Sequence, residues 1–202
     1  PSVGVALNLK RKKSKNIVVV YIGDGAMEEG IVHEAFNFSS LYGLPILFVC
    51  ENNLYSVYTP IELRQNPLRQ ITKIAEAHGI TSKTGDGNRV EEVYAFSGQA
   101  IEYIQKNKRP YLLELFTYRW LEHCGPNWDD HLGYRKKDEL KYWMAKCPLK
   151  RCEKNIKDEK IINDKDLETI NEEVDLEIRE AFNFAKSSSL PNSEALFEHV
   201  YA

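Results

Sequence analysis

Long apolar runs are missing. No stretch approaches the roughly 20 consecutive apolar residues of a membrane-spanning helix, so no such helix is expected within these residues. Cysteine is scarce. Cys50, Cys124, Cys147 and Cys152 form no CxxC pair, and no histidine cluster joins them at zinc spacing, so neither a structural zinc site nor a disulfide framework is expected. Cys50 lies in an apolar run and reads as a buried thiol, which fits a reduced, cytoplasmic setting. Neither GxGxxG nor GxxxxGK[ST] occurs, which removes the dinucleotide fingerprint and the P-loop. His33-Glu34 has no second histidine at HExxH spacing, so zinc-protease chemistry is out. No signal peptide is recognisable. A formal charge of −3 gives no reason to expect a nucleic-acid partner, and the basic run Lys10–Lys15 reads as a solvated turn between helix and strand.

What is present suits one domain with a sizeable core: 202 residues, 43% of them hydrophobic. Three β-rich runs, Ile17–Ile22, Ile46–Glu51 and Leu112–Thr117, are almost wholly apolar, and Ile80–Lys83 is a weaker fourth. Such runs predict strands buried on both faces of a parallel sheet. Helical patterns cover Met27–Tyr42, Asn66–His78 and Val90–Asn107. The first stops at Gly43, with Pro45 just beyond. The alternation predicts an α/β fold with a doubly wound, mostly parallel sheet. Pro1–Lys10 reads as the middle of a helix, so the chain is expected to be a piece of something longer. After Tyr118 the periodicity stops. Residues 119–135, rich in Trp, His, Gly, Pro and Asp, predict a long ordered loop. Helices follow at Lys137–Ala145 and at Asp166–Ser187, the latter behind an Asn163/Asp164 cap signal and with Leu167, Ile170, Val174, Ile178, Ala181 and Phe182 on one stripe.

The sharpest local signal is Gly23-Asp24-Gly25, which ends the strand IVVVYI and opens a helix near Ala26. Open α/β sheets bind ligands outside the carboxyl ends of their strands. A helix N-terminus offers free N–H groups to phosphate, and glycine allows close approach of backbone. Gly-Asp-Gly by itself also makes ordinary turns. The next strand, however, ends in Glu51-Asn52-Asn53, which puts an acidic and an amide oxygen at the same sheet edge. Mg²⁺ takes hard oxygen ligands in octahedral geometry. Asp24, Asn53, a backbone carbonyl, two diphosphate oxygens and a water make six. Glu28 and Glu29 read first as carboxylates favouring a helix N-terminus, and second as neighbours of metal-bound water. Asp86-Gly87-Asn88 reads as a turn and helix cap.

GDG followed about 27 residues later by NN resembles the thiamine-diphosphate motif. The stretch GDGAMEEGIVHEAFNFSSLYGLPILFVCENNLY resembles the α subunit of 2-oxo acid dehydrogenase E1 components (pyruvate, acetoin or branched-chain type). The likeness continues through GDGNRVEEVYAF and RPYLLELFTYRW to LFEHVYA, nearly the whole chain. It implies the thiamine-diphosphate-binding fold, with an upstream segment expected before Pro1. Asp24, Asn53 and the Tyr55 carbonyl would hold Mg²⁺, and Gly25 and Ala26 would donate N–H groups to the diphosphate. His123, four residues beyond Arg119 of Thr117-Tyr118-Arg119, matches the family's histidine beside the cofactor; Arg119, Tyr134 and Arg135 would order its loop. The chain departs from the family's "GHS" with Glu122-His123-Cys124. Cys124 replaces a serine phosphorylated in some members, so kinase control there is not expected, and Cys124 reads as a plain loop residue. Glu122, Asn127, Trp128 and His131 leave the 2-oxo acid open, pyruvate being the default.

The expected layout is a thiamine-diphosphate/Mg²⁺-binding α/β domain at 1–145, containing an active-site loop at 117–135, and a C-terminal helical extension at 146–202 that packs on it or on a partner. The resemblance implies an α₂β₂ assembly with an E1 β subunit that supplies the activating glutamate. It also implies acyl transfer to the lipoyl domain of an E2 acyltransferase. Two other readings stand beside it: half of a split transketolase-like enzyme, and a non-catalytic cofactor-binding partner subunit.

Overall fold

The described residues form six strands: β1 (Val18–Gly23), β2 (Ile46–Asn52), a short hairpin of β3 (Tyr55–Ser56) and β4 (Thr59–Pro60), β5 (Thr81–Asp86) and β6 (Tyr111–Phe116). The four longer ones form a single sheet in the order β1-β2-β6-β5, parallel at every pairing. This computed structural model describes residues Pro1–Val200; the last two residues of the LFEHVYA resemblance lie outside them. The helices are α1 (Ser2–Arg11), α2 (Gly30–Leu41), α3 (Ile61–Arg64), α4 (Ile71–Ala77), α5 (Val90–Asn107), α6 (Glu139–Met144), α7 (Pro148–Asp158) and α8 (Asp164–Ser187). The α/β fold with a parallel sheet is therefore as the alternation predicts.

Strand side chains alternate between faces, so each central strand feeds two cores. One joins Ile46, Phe48, Cys50 and Leu112 to Ala6 of α1, Phe36 of α2, and Ile71 and Ala75 of α4. The other joins Leu47, Val49, Leu113 and Leu115 to Ala100 and Ile104 of α5. Helices thus cover both faces of β2 and β6, which explains their unbroken apolar runs. β1 departs from the expectation of two buried faces. It is an edge strand, and Val19 and Tyr21 are 41% and 70% exposed. The reason is coverage: α5 packs against β2, β5 and β6.

The helix expected from Met27 begins only at Gly30. A 3₁₀ turn, Ala26–Glu28, comes first, and Glu29 is extended at φ −74°, ψ 138°. Gly23-Asp24-Gly25 therefore opens a separate tight turn rather than α2. The helix expected from Asn66 begins at Ile71, because the Asn66 side chain closes a local turn by accepting from Leu68 N at 2.9 Å. α7 lies outside the helices expected from the sequence, although Leu149, Cys152 and Ile156 stand at helical spacing and Pro148 takes the first position.

The chain divides into two compact units, Pro1–Cys152 and the residues from Glu153 onward. The second contains α8, which starts with a reciprocal cap: Asp166 N donates to Asn163 Oδ1 and Asn163 N to Asp166 Oδ2, each at 3.0 Å. Among the described residues of this unit none is buried, and the stripe from Ile170 to Phe182 is solvent-exposed. No helix among the described residues is long and apolar enough to cross a membrane.

Phe36 is fully buried and meets Phe48 edge-on at 4.9 Å between ring centroids. Phe36→Ala is expected to lower the unfolding free energy by about 3–5 kcal/mol. Urea denaturation will measure it; a loss below about 1 kcal/mol would mean that α2 does not anchor this face.

Candidate functional site

Parallel register sets Gly23 opposite Glu51, so the turn after β1 and the turn after β2 leave the sheet side by side. Asp24 follows Gly23 and is only 1% exposed. The backbone N–H of Asn53 lies close enough to favour the ionised form of this carboxyl, so residues 24 and 53 come together at neighbouring strand tips. The amide oxygen of Asn53 accepts from Tyr55 N at 3.0 Å, and Leu54 between them takes a left-handed φ of 71°. This tight turn feeds the β3–β4 hairpin. Tyr55 begins the hairpin and fixes it from below: its ring is buried and its hydroxyl donates to Glu139 Oε2 at 2.5 Å. Burial, followed by that carboxylate, pushes the phenol well above its ordinary value.

Gly25 has an ordinary helical conformation, φ −65°, so left-handed freedom is not why glycine stands here. A Cβ at this position would lie 2.8 Å from Ser56 Oγ and 2.9 Å from Ser56 Cβ. The hairpin lies directly over the turn, and only glycine fits beneath it. Among the described residues the N–H groups of Gly25 and Ala26 donate to no protein acceptor. Two free N–H donors beside a buried carboxylate and an amide oxygen suit a diphosphate held with a hard cation. The side chains present fit that group.

Arg64, at the end of α3, reaches back into the same turn. One guanidinium nitrogen pairs with Asp24 and the other with Glu28. Gln65 adds a bond from Nε2 to Glu28 Oε1 at 2.8 Å. Glu28 is thus a second carboxylate of the site rather than a helix-dipole residue. Burial raises the Asp24 carboxyl above its usual value of 3.8, with Arg64 opposing. Protonated Asp24 therefore favours folding below 3.8, and that contribution is lost as pH rises through the raised value. Behind the turn, Asn52 Nδ2 donates to buried Glu114 at 2.8 Å, on the wall of a hollow of about 510 Å³ lined by both polar residues (Gln65, Arg69, Thr84) and apolar ones (Ile61, Ile71, Phe116).

The 117–135 loop is organised by a residue the sequence does not advertise. Asp129 is 1% exposed and gathers Arg135 at 2.7 Å, Arg119 at 3.3 Å and the Tyr134 hydroxyl at 2.5 Å. Burial alone would raise this carboxyl; the Tyr134 hydroxyl and the two arginines overcome it and hold it below 3.8. Arg119 also donates to Val57 O at 2.9 Å, which ties the loop to the hairpin. His123 is exposed, and no hydrogen bond or ring contact joins it to Asp24, Gly25, Ala26, Asn53 or Tyr55 among the described residues.

The family profile described as "Dehydrogenase E1 component" matches residues 1–194. The chain belongs to the dehydrogenase E1 component family. Similar proteins include the pyruvate dehydrogenase E1 component subunit alpha of Rickettsia conorii, 36% identical over 98% of this chain and 60% of that protein. The pyruvate dehydrogenase E1 component subunit alpha of Rickettsia bellii is 35% identical over the same shares. The mitochondrial 2-oxoisovalerate dehydrogenase subunit alpha of Bos taurus is 32% identical over 99% of this chain and 44% of that protein. This E1 chain thus spans well under two thirds of the length of these relatives.

Within this E1 chain the structure brings together Asp24, Gly25, Ala26, Asn53 and Tyr55, and links Arg119 to their hairpin. Sequence reasoning missed Arg64, Glu114 and Asp129. A lone Arg or Asp in a loop names no partner, and only Gln65 beside Arg64 hinted at a polar cluster.

Asp129→Asn leaves Arg119 and Arg135 without their buried carboxylate. It is expected to lower stability by about 3 kcal/mol at neutral pH and to speed hydrogen exchange across 117–135. Because the folded carboxyl titrates below 3.8, the gap between variant and wild type should narrow only as pH falls below 3.8. A gap unchanged at pH 2 would show that charge is not its cause.

Proposed function

We propose that this chain is the thiamine-diphosphate- and Mg²⁺-binding part of an E1 α subunit, acting with a β subunit to decarboxylate a 2-oxo acid and pass the acyl group to a lipoyl acceptor on an E2 protein. One observation carries the reading: the Asp24 carboxylate meets Asn53 at adjacent strand tips, beside two N–H groups that have no protein acceptor. Family membership and relatives named for pyruvate and 2-oxoisovalerate support the same chemistry.

Bound thiamine diphosphate supplies the carbanion chemistry by which a 2-oxo acid loses CO₂. The chain's own residues bind and orient. Asp24 is the anionic ligand for Mg²⁺, with the Asn53 amide oxygen and the Tyr55 carbonyl beside it. Gly25 and Ala26 donate N–H groups to the diphosphate. Ser56, packed over Gly25, keeps the turn narrow. Arg119 holds the loop that carries His123 against the hairpin. His123, exposed on the same loop, is free to donate to or accept from the diphosphate or the reacting carbonyl. A pyruvate-like acid is the default substrate, and an α₂β₂ assembly the expected form.

Asp24→Ala is expected to abolish Mg²⁺-dependent thiamine-diphosphate binding by calorimetry; unchanged affinity would remove the metal assignment. His123→Ala is expected to lower turnover by about a hundredfold or more, with little change in cofactor affinity. Equal losses in both would put His123 on the ground-state diphosphate instead. The deciding assay is a 2-oxo acid panel with an artificial electron acceptor, run on the chain with and without a co-expressed β subunit. No decarboxylation in either form would overturn the E1 reading and leave the split transketolase-like half and the non-catalytic cofactor-binding partner.

A further inference from the structure

Arg64 stands apart from the other charged side chains of the site because it occupies two carboxylates at once. Its side chain is 10% exposed, that of Asp24 2% and that of Glu28 29%. Nε donates to Thr59 O at 3.2 Å, and Gln65 holds Glu28 from the side at 2.8 Å. The guanidinium also lies against the turn: Nη1 would be in ordinary contact, 3.5 Å, with a Cβ on Gly25. Asp24, Glu28 and Arg64 together carry one net negative charge in a largely desolvated spot. A divalent cation added with Arg64 in place would make the cluster positive. The same cation taken up in exchange for Arg64 would make it neutral, and burial favours the neutral state. The geometry agrees: a divalent cation bound at Asp24 Oδ2 would face the guanidinium across one oxygen, a like-charge contact that displacement removes.

The means of exchange is local. Arg64 is the last residue of a helix only four residues long, and the next residue, Gln65, is extended. A change in its side-chain rotamers frees Asp24 without disturbing any strand of the sheet.

We infer that Arg64 is an exchangeable counter-ion of this site: it neutralises Asp24 and Glu28, and a divalent cation that takes Asp24 as a ligand does so by displacing it. The inference rests on the metal-site reading above and adds that the cation's apparent affinity is set by competition with a side chain of the same chain.

The test uses the full chain, Mn²⁺ alone as the probe, and electron paramagnetic resonance of free Mn²⁺ as the readout. Arg64→Gln is expected to bind Mn²⁺ about tenfold or more tightly than wild type, to melt at a lower temperature without Mn²⁺, and to regain the difference at saturating Mn²⁺. Arg64→Lys, which keeps the charge, is expected to stay near wild-type affinity and separates charge from packing. Asp24→Asn removes the binding in every background. If Asp24→Asn abolishes binding but Arg64→Gln binds no more tightly than wild type, the exchange is wrong while the metal site stands. If neither wild type nor Arg64→Gln binds Mn²⁺, both the exchange and the metal site fall.

Discussion

A buried carboxylate at the tip of an edge strand governs the arrangement around it. Asp24 has almost no access to water, and burial pushes its carboxyl toward the neutral form. When ionised, a carboxylate so placed demands a cation and donors within reach. The Asn53 N–H and the guanidinium of Arg64, brought in by α3 just after the hairpin, answer that demand. Such a residue is hard to justify by stability alone, since a hydrophobic side chain of similar volume would raise no desolvation cost. Its presence is best understood as readiness for a ligand of opposite sign.

The sheet and most of the helices are legible in the sequence because burial on two faces leaves an unmistakable trace. Ile46–Cys50 and Leu112–Leu115 are apolar at nearly every position, with helices on either side of them in space. β1 looks the same in the sequence yet has one open face, since an apolar run records what a strand can bury and not whether something lies over it. Gly23-Asp24-Gly25 and Asn52-Asn53 are legible for a related reason: strand order and parallel register convert two distant short segments into one edge. The start of α2 is not legible. Ala-Met-Glu-Glu suits a helix, and only the pull of Arg64 and Gln65 on Glu28 accompanies the tighter turn found there.

Long-range charge pairing leaves no local trace at all. Asp24 meets Arg64 and Asp129 meets Arg119 and Arg135 through chain reversals that no periodicity encodes. The two clusters also differ in kind. Asp129 has more than enough positive partners and is held ionised, a structural anchor. Asp24 shares a single guanidinium with Glu28 and is not fully served, as a ligand-binding group should be. Reading partners rather than residue types separates scaffold from site.

The hairpin between the two clusters is held by main chain on both sides. Arg64 takes the carbonyl of Thr59 and Arg119 takes the carbonyl of Val57, so neither arginine reads a side chain of the hairpin. Every amino acid but one that distorts the backbone presents those oxygens equally well. A substitution at 59 leaves its carbonyl contact in place, and one at 57 must accept the left-handed φ of 54° that Val57 adopts, whereas a one-residue insertion or deletion would carry a carbonyl past its arginine. What selection guards in this segment is its length.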